Sequence, residues 1–357
     1  MEAPLTEALR AGNRRHPYRR RRRQPRNRGP SPVLGAIDVG TNACRLLIAV
    51  PQGAEGCASP RVIDSYTASV RLGEGLERAG SITDAALDRT IQALKICSER
   101  LKRRGVTHVR AIATEACRKA ANAQDLVARA RDEAGIDLVI VTAEEEARLA
   151  AEGCLPLIGE GFEGALIFDI GGGSTELILV RIGAAGLPAY EIVAWASVPV
   201  GVVALAERHG GHRIPAAAYP AMFECVNAIF SELRPRLGAA AFNADRYHLL
   251  GTSGTLTTLA GIKLGLERYN RNRVDGQWLT REEVLTITDT ITGQDFAGRA
   301  AIPCIGEDRA DLILPGCAIL AAIMRNWPSA RLRVADRGLR EGLLIGLLRE
   351  SEQAAEQ

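Results

Sequence analysis

Two carboxylates seven residues apart flank a triglycine turn in "FDIGGGSTELILV", Asp169 closing one apolar stretch and Glu176 opening the next. Around a turn they can converge on one ion, and oxygen ligands beside a phosphate-binding loop suit Mg²⁺ or Mn²⁺. Alternatively Glu176 pairs with a neighbouring Arg and Asp169 caps the turn. Two unpaired carboxylates would repel a polyanion, so a metal is the better account. Asp38 in "AIDVGTN" ends an earlier apolar stretch and is a further candidate ligand, directly or through water.

A strand ending Asp-x-Gly, a small polar turn and a second strand expose backbone N–H groups where no Cβ obstructs a phosphate. Gly40, Thr41 and Asn42 form one such tip, and Gly171, Gly172, Gly173, Ser174 and Thr175 form another. Either hairpin alone reads equally well as a tight turn. The two units superpose, however, at an offset of 131 residues, with Asp169 on Asp38, Gly171 on Gly40 and Glu176 on Arg45. Such a repeat points to two related domains, each giving one glycine hairpin to the cleft between them. In "LLGTSGTLTTLAG" a strand runs through Gly251, Thr252, Ser253, Gly254 and Thr255 into a helix. A helix N-terminus offers free N–H donors and a positive dipole end, and the hydroxyls add donors there.

Arg45, and Arg118 in "TEACRKAANAQD", are candidate phosphate ligands because planar forks match phosphate oxygens bidentately. Surface salt bridges are the alternative. Arg309, and Arg340 with Glu341, stand at helix starts where capping explains them equally well. In "VTAEEEARLA" Thr142 can cap a helix with Glu145 as its capping-box partner, and Glu144 complements the dipole. Glu146 is then spare, free to face the cleft as a general base for water.

The elements that must position these residues alternate as strands and helices. Three extended stretches from residue 33 precede a helix over Thr83–Arg104, a strand "HVRAIAT", a helix over Asn122–Glu133, a strand "DLVIV" and a helix from Thr142. After the second hairpin come "AYEIVAWASVPVG", a helical stretch Ala216–Leu237, the strand before "GTSGT", mostly helix over Thr280–Met324, the strand "RLRVAD" and a helix Gly338–Arg349. This order is α/β, with an arm over residues 1–30, one domain over 31–155 and a second over 156–357.

The chain has 357 residues, 46% hydrophobic and 24% charged, enough for a sizeable core. Its longest apolar run, Leu312 to Met324, contains Pro315 and is too short to span a bilayer. Residues 1–30 hold ten Arg against two Glu, so the net +3 hides a +8 arm and a body of −5. The arm lacks apolar periodicity and reads as disordered, suited to weak contact with polyanions. No apolar run long enough for a signal peptide follows it, so the expected location is cytoplasmic. The eight Cys have no CxxC spacing, His209 and His212 read as loop residues, and buried reduced thiols are expected instead of a zinc site.

Seven blocks, "AIDVGTNACRLLIA", "TEACRKAANAQD", "TAEEEARLA", "FDIGGGSTELILV", "GTSGTLTTLAG", "DRADLILPGCAIL" and "DRGLREGLL", resemble in that order the exopolyphosphatase and guanosine pentaphosphate phosphohydrolase family across residues 33–350. The resemblance implies two actin-like ATPase (ribonuclease H-like) domains around a cleft. It implies that Glu146 is the catalytic base and that Asp169 and Glu176 are metal-side acids. It implies phosphate binding by Gly171 to Thr175, Thr41, Asn42 and Arg118, with "GTSGT" near the nucleotide position of related ATPases. Arg337 departs from the small residue of many members, and the chain looks like the short two-domain type. The expected activity is Mg²⁺-dependent hydrolysis of the terminal phosphate of inorganic polyphosphate. Guanosine pentaphosphate is the alternative substrate, and a nucleotide-binding regulator the alternative class. A homodimer is compatible with all three.

Overall fold

The computed structural model describes residues 31–53, 59–183, 190–211, 213–238 and 245–356. The Arg-rich segment 1–30, Cys57 and His212 lie outside them. The other seven cysteines are free thiols, five of them buried.

Two mixed sheets carry the fold. In the first, β1 (Leu34–Val39) lies between β2 (Ala43–Gln52) and β4 (His108–Ala113), with β3 (Ser59–Ser69) beyond β2 and β5 (Leu138–Ile140) beyond β4, giving the order β3-β2-β1-β4-β5. The second contains β6 (Gly164–Ile170), β7 (Thr175–Ile182), β8 (Tyr190–Val198), β9 (Tyr247–Thr252), β10 (Trp278–Thr280) and β11 (Arg331–Ala335), in the order β10-β11-β9-β6-β7-β8. Each has an antiparallel three-strand meander joined to parallel strands, so the internal repeat is a structural one. The register repeats as well: Asp38 pairs with Arg45 across β1 and β2, and Asp169 pairs with Glu176 across β6 and β7. This is the two-domain α/β architecture with an intervening cleft that the motifs implied.

The periodic helices form where expected. Thr83 caps Asp84–Arg103 by accepting the Ala86 N–H at 3.3 Å, and that helix buries Leu87, Ile91 and Leu94 against the first sheet. The stretch over residues 216–237 is a short 3₁₀ turn, Ala216–Ala218, followed by a helix Tyr219–Leu233. The stretch over 280–324 breaks into four helices.

The last helix, Leu339–Glu356, departs from the grouping of residues 156–357 as one domain. Its Leu343, Leu344, Leu347 and Leu348 pack with Leu34, Ala36, Leu47 and Ile112 of the first sheet. Val141 and Leu149 complete the same apolar cluster. On the way the helix presses against Ala143–Cys154. A Cβ on Gly342 would lie 2.1 Å from the Leu149 carbonyl oxygen, and one on Gly153 would lie 2.0 Å from the Gly338 carbonyl oxygen. Both positions require glycine because backbone meets backbone there.

Candidate active site

The two hairpin tips meet across the cleft. A Cβ on Gly172 would fall 2.9 Å from the Thr41 Cβ, so the tips touch. Each tip is tied at its base by the same bond, Gly40 N–H to the Ala43 carbonyl at 3.0 Å and Gly171 N–H to the Ser174 carbonyl at 2.9 Å. The second tip is braced from behind by the helix Val202–Arg208, whose Val202 and Val203 N–H groups donate to the Gly171 and Gly172 carbonyls at 2.9 and 2.8 Å. Among the described residues the N–H groups of Thr41, Asn42, Gly172 and Gly173 have no hydrogen-bond acceptor. Such clustered free donors form an anion nest.

Above the tips is a cavity of about 280 Å³, lined by Asp38, Gly40, Thr41, Asn42, Arg45, Glu146, Asp169, Gly171, Gly172, Gly173, Ser174, Ser253, Gly254 and Thr255 among others. Most of the expected residues therefore converge. Sequence reasoning missed Glu115 and Asp308 on the same wall, and Arg309, first placed as a helix-start residue, also lines it. Glu115 had a visible signal, since it stands inside the "TEACRKAANAQD" block three residues before Arg118.

Glu146 lies in the first turn of the helix Ala143–Cys154 and is 9% exposed. Thr142 caps that helix by accepting the Glu145 N–H at 3.1 Å. The reciprocal Glu145 bond of a capping box is absent here, the Glu145 carboxylate instead approaching Arg148 at 3.9 Å. Burial pushes the Glu146 carboxyl well above the ordinary range, the Glu176 charge adds to this, and Arg118 opposes it. A buried carboxylate with raised proton affinity suits a general base.

Five expected residues sit differently. Arg118 is not on the cavity wall: its Nη1 donates to Glu146 Oε2 at 2.7 Å, and its Nη2 donates to Glu115 Oε2 at 2.9 Å. Two carboxylates within reach of a guanidinium claim it. Glu176, 2% exposed, is not on the cavity wall, and its Oε1 accepts from the Ser174 and Ser197 hydroxyls at 2.7 and 2.8 Å. Thr175 points the other way along β7 and donates its hydroxyl to the Val200 carbonyl at 2.6 Å. Gly251 is spacing for a ring, since a Cβ there would meet Phe168 at 2.5 Å. Thr252 packs toward Gly338 at the start of the last helix. Arg337, the departure noted in sequence, pairs with Asp275, and Arg271 pairs with Glu341.

Asp38 and Asp169 occupy equivalent places on the two lobes. Neither has a hydrogen bond or ion pair from a side chain among the described residues. Burial raises both carboxyls, that of Asp169 to about 7, with Glu176 as the next cause. No three His, Cys, Asp or Glu side chains among the described residues form a ready-made metal cage. Two open carboxylates nevertheless fit Mg²⁺, which is commonly held by one or two carboxylates, substrate oxygens and water. The wall also carries five acids, Asp38, Glu115, Glu146, Asp169 and Asp308, against two arginines, Arg45 and Arg309. A polyanion enters such a cleft readily only with cations to offset that charge. Arg309 reaches Thr258 Oγ1 at 3.0 Å beside the helix opened by Ser253, whose φ of 142° lies in the strained region.

Residues 50–351 match the Ppx/GppA phosphatase family. Exopolyphosphatase 2 of Mycobacterium tuberculosis is 29% identical over 328 residues, covering 88% of this chain and 98% of the relative. An exopolyphosphatase from Cytophaga hutchinsonii superposes with a TM-score of 0.77 at 26% identity, covering 89% of this chain and 98% of the other. The Aquifex aeolicus member of the Ppx/GppA family superposes with a TM-score of 0.72 at 26% identity, covering 90% and 99%.

Proposed function

The chain belongs to the Ppx/GppA phosphatase family, and from that premise we propose that it hydrolyses the terminal phosphate of inorganic polyphosphate, with Glu146 as the base that activates water. The observation that carries this reading is the position of Glu146. A buried carboxyl of raised proton affinity opens onto the same cavity as the free N–H groups of the two hairpin tips.

In this mechanism the nests and the arginines Arg45 and Arg309 hold non-bridging oxygens of the chain end. Glu146 takes the proton of a water as its oxygen bonds to the terminal phosphorus, and the bridging P–O bond breaks to release a chain one phosphate shorter. Asp38 and Asp169 would hold Mg²⁺, which when bound offsets charge on the phosphate oxygens.

Phosphate release from long polyphosphate, guanosine pentaphosphate and ATP, with Mg²⁺ or with chelator, tests the proposal. The expected result is fastest release from polyphosphate, loss with chelator, and a fall of about 10²–10⁴-fold in Glu146→Gln. Faster release from guanosine pentaphosphate would make the nucleotide the substrate. Binding of nucleotide without release of phosphate from any of the three would make the protein a regulator.

A further inference from the structure

We propose that Glu115 is a positioning residue, whose carboxylate holds the Arg118 guanidinium on Glu146 and keeps it off the phosphate of the substrate; the inference rests on Glu146 being the base. Glu115 opens the five-residue helix Glu115–Lys119 at the end of β4, and its side chain is 13% exposed. Its Oε2 accepts from Arg118 Nη2 at 2.9 Å and from Nε at 3.3 Å, and its Oε1 lies 3.0 Å from Lys119 Nζ. The remaining nitrogen, Nη1, donates to Glu146 Oε2 at 2.7 Å and to the Val141 carbonyl at 3.1 Å. All three guanidinium nitrogens are therefore committed, two to Glu115 and one to Glu146 and the backbone.

The array sets two cations against two carboxylates, with Arg118, Glu115 and Glu146 shielded at 18%, 13% and 12% side-chain exposure and Lys119 more open at 37%. Ion pairs held there are stronger than those in open solvent. The opposing lobe closes over it, since a Cβ on Gly173 would lie 3.1 Å from Glu115 Cγ. Without Glu115, Arg118 loses two of its bonds and Lys119 loses its partner. The guanidinium is then free to turn toward an incoming phosphate oxygen, for which its fork is suited. Substrate binds more tightly while Glu146 is left without its orienting clamp, so affinity and turnover move in opposite senses.

Steady-state kinetics on polyphosphate decide the matter. Glu115→Ala is expected to lower kcat about tenfold and to lower KM about threefold, a pairing that points to an interaction made differently in ground and transition states. Glu115→Gln keeps an acceptor oxygen for Arg118 and should fall between wild type and Glu115→Ala. Because Glu115 acts through Glu146, Glu115→Ala should cost less than about twofold in kcat in a Glu146→Gln background. Wild-type kinetics in both Glu115 variants, a raised KM, or an equal loss of kcat in both backgrounds would overturn the proposal. Urea midpoints identify a variant that fails to fold, in which case Glu115→Gln carries the comparison. Full turnover in Glu146→Gln alone would instead sink the reading of the base, so the two failures are distinct.

Discussion

Buried carboxyls in this cleft differ in what accompanies them. Glu146 is held by an arginine and Glu176 by two serines, whereas Asp38 and Asp169 are left open to the cavity. Asp169→Asn should therefore weaken Mn²⁺ binding to the substrate-free protein, read by electron paramagnetic resonance, while Glu176→Gln should change it much less. Equal weakening would return Glu176 to the ligand set. A second buried group reports on pH. His248 on β9 accepts the Gly159 N–H at 3.1 Å, is flanked by Phe162 and Trp278, and burial lowers its pKa to about 4. Its contribution to stability is complete above the unfolded value near 6.5 and is lost as pH falls toward 4. Between pH 6.5 and 5 wild type should lose about 1.5 kcal/mol more than His248→Gln in urea titrations. Parallel losses would show that the imidazole is not the sensor. Asp38, the hairpin glycines and Glu146 were legible because turn chemistry and capping leave few other uses for them. Thr175 was not, because it takes the face of β7 opposite to Glu176, and which face a residue takes depends on the sheet around it.

At the scale of elements, the helix bearing Glu146 and the last helix approach closely through Gly153 and Gly342. Gly342→Ala would press a methyl group into the Leu149 carbonyl, and overpacking of this kind costs about 1–3 kcal/mol. Its melting temperature should fall and kcat should fall with it, since the helix that shifts is the one that carries the proposed base; an unchanged kcat with a lowered melting point would separate packing from catalysis. The long helices and the repeated meanders were readable from period and turn signals. The short helices Leu76–Ala79, Glu115–Lys119, Val202–Arg208 and Arg271–Val274 were not. Segments of four to seven residues hold too little of a 3.6-residue period, and they form here because tertiary neighbours supply their partners. The capping box expected at Thr142 occurs in full at Thr280 and Glu283 instead.

The two lobes are also joined at the rim. Arg208 Nε and Nη2 donate to Glu77 at 3.1 and 2.9 Å, and Glu207 accepts the Gly75 N–H at 2.8 Å. The ion pair is partly exposed and so worth no more than about 1 kcal/mol. Arg208→Ala should raise KM by no more than about fivefold and increase the radius of gyration in solution scattering. A larger effect would mean that the rim pair does more than hold the lobes together. None of the helices among the described residues is long and apolar enough to cross a membrane.

The returning last helix has a consequence for biosynthesis. The first sheet is complete once β5 has been made, yet the leucines that cover Leu34, Leu47 and Ile112 belong to residues 339–348. As the chain leaves the ribosome, nearly two hundred residues of the second lobe must emerge before that face is sealed. The earlier lobe therefore waits with that apolar face only partly covered, by Val141 and Leu149, and exposed apolar surface of this kind is prone to aggregation.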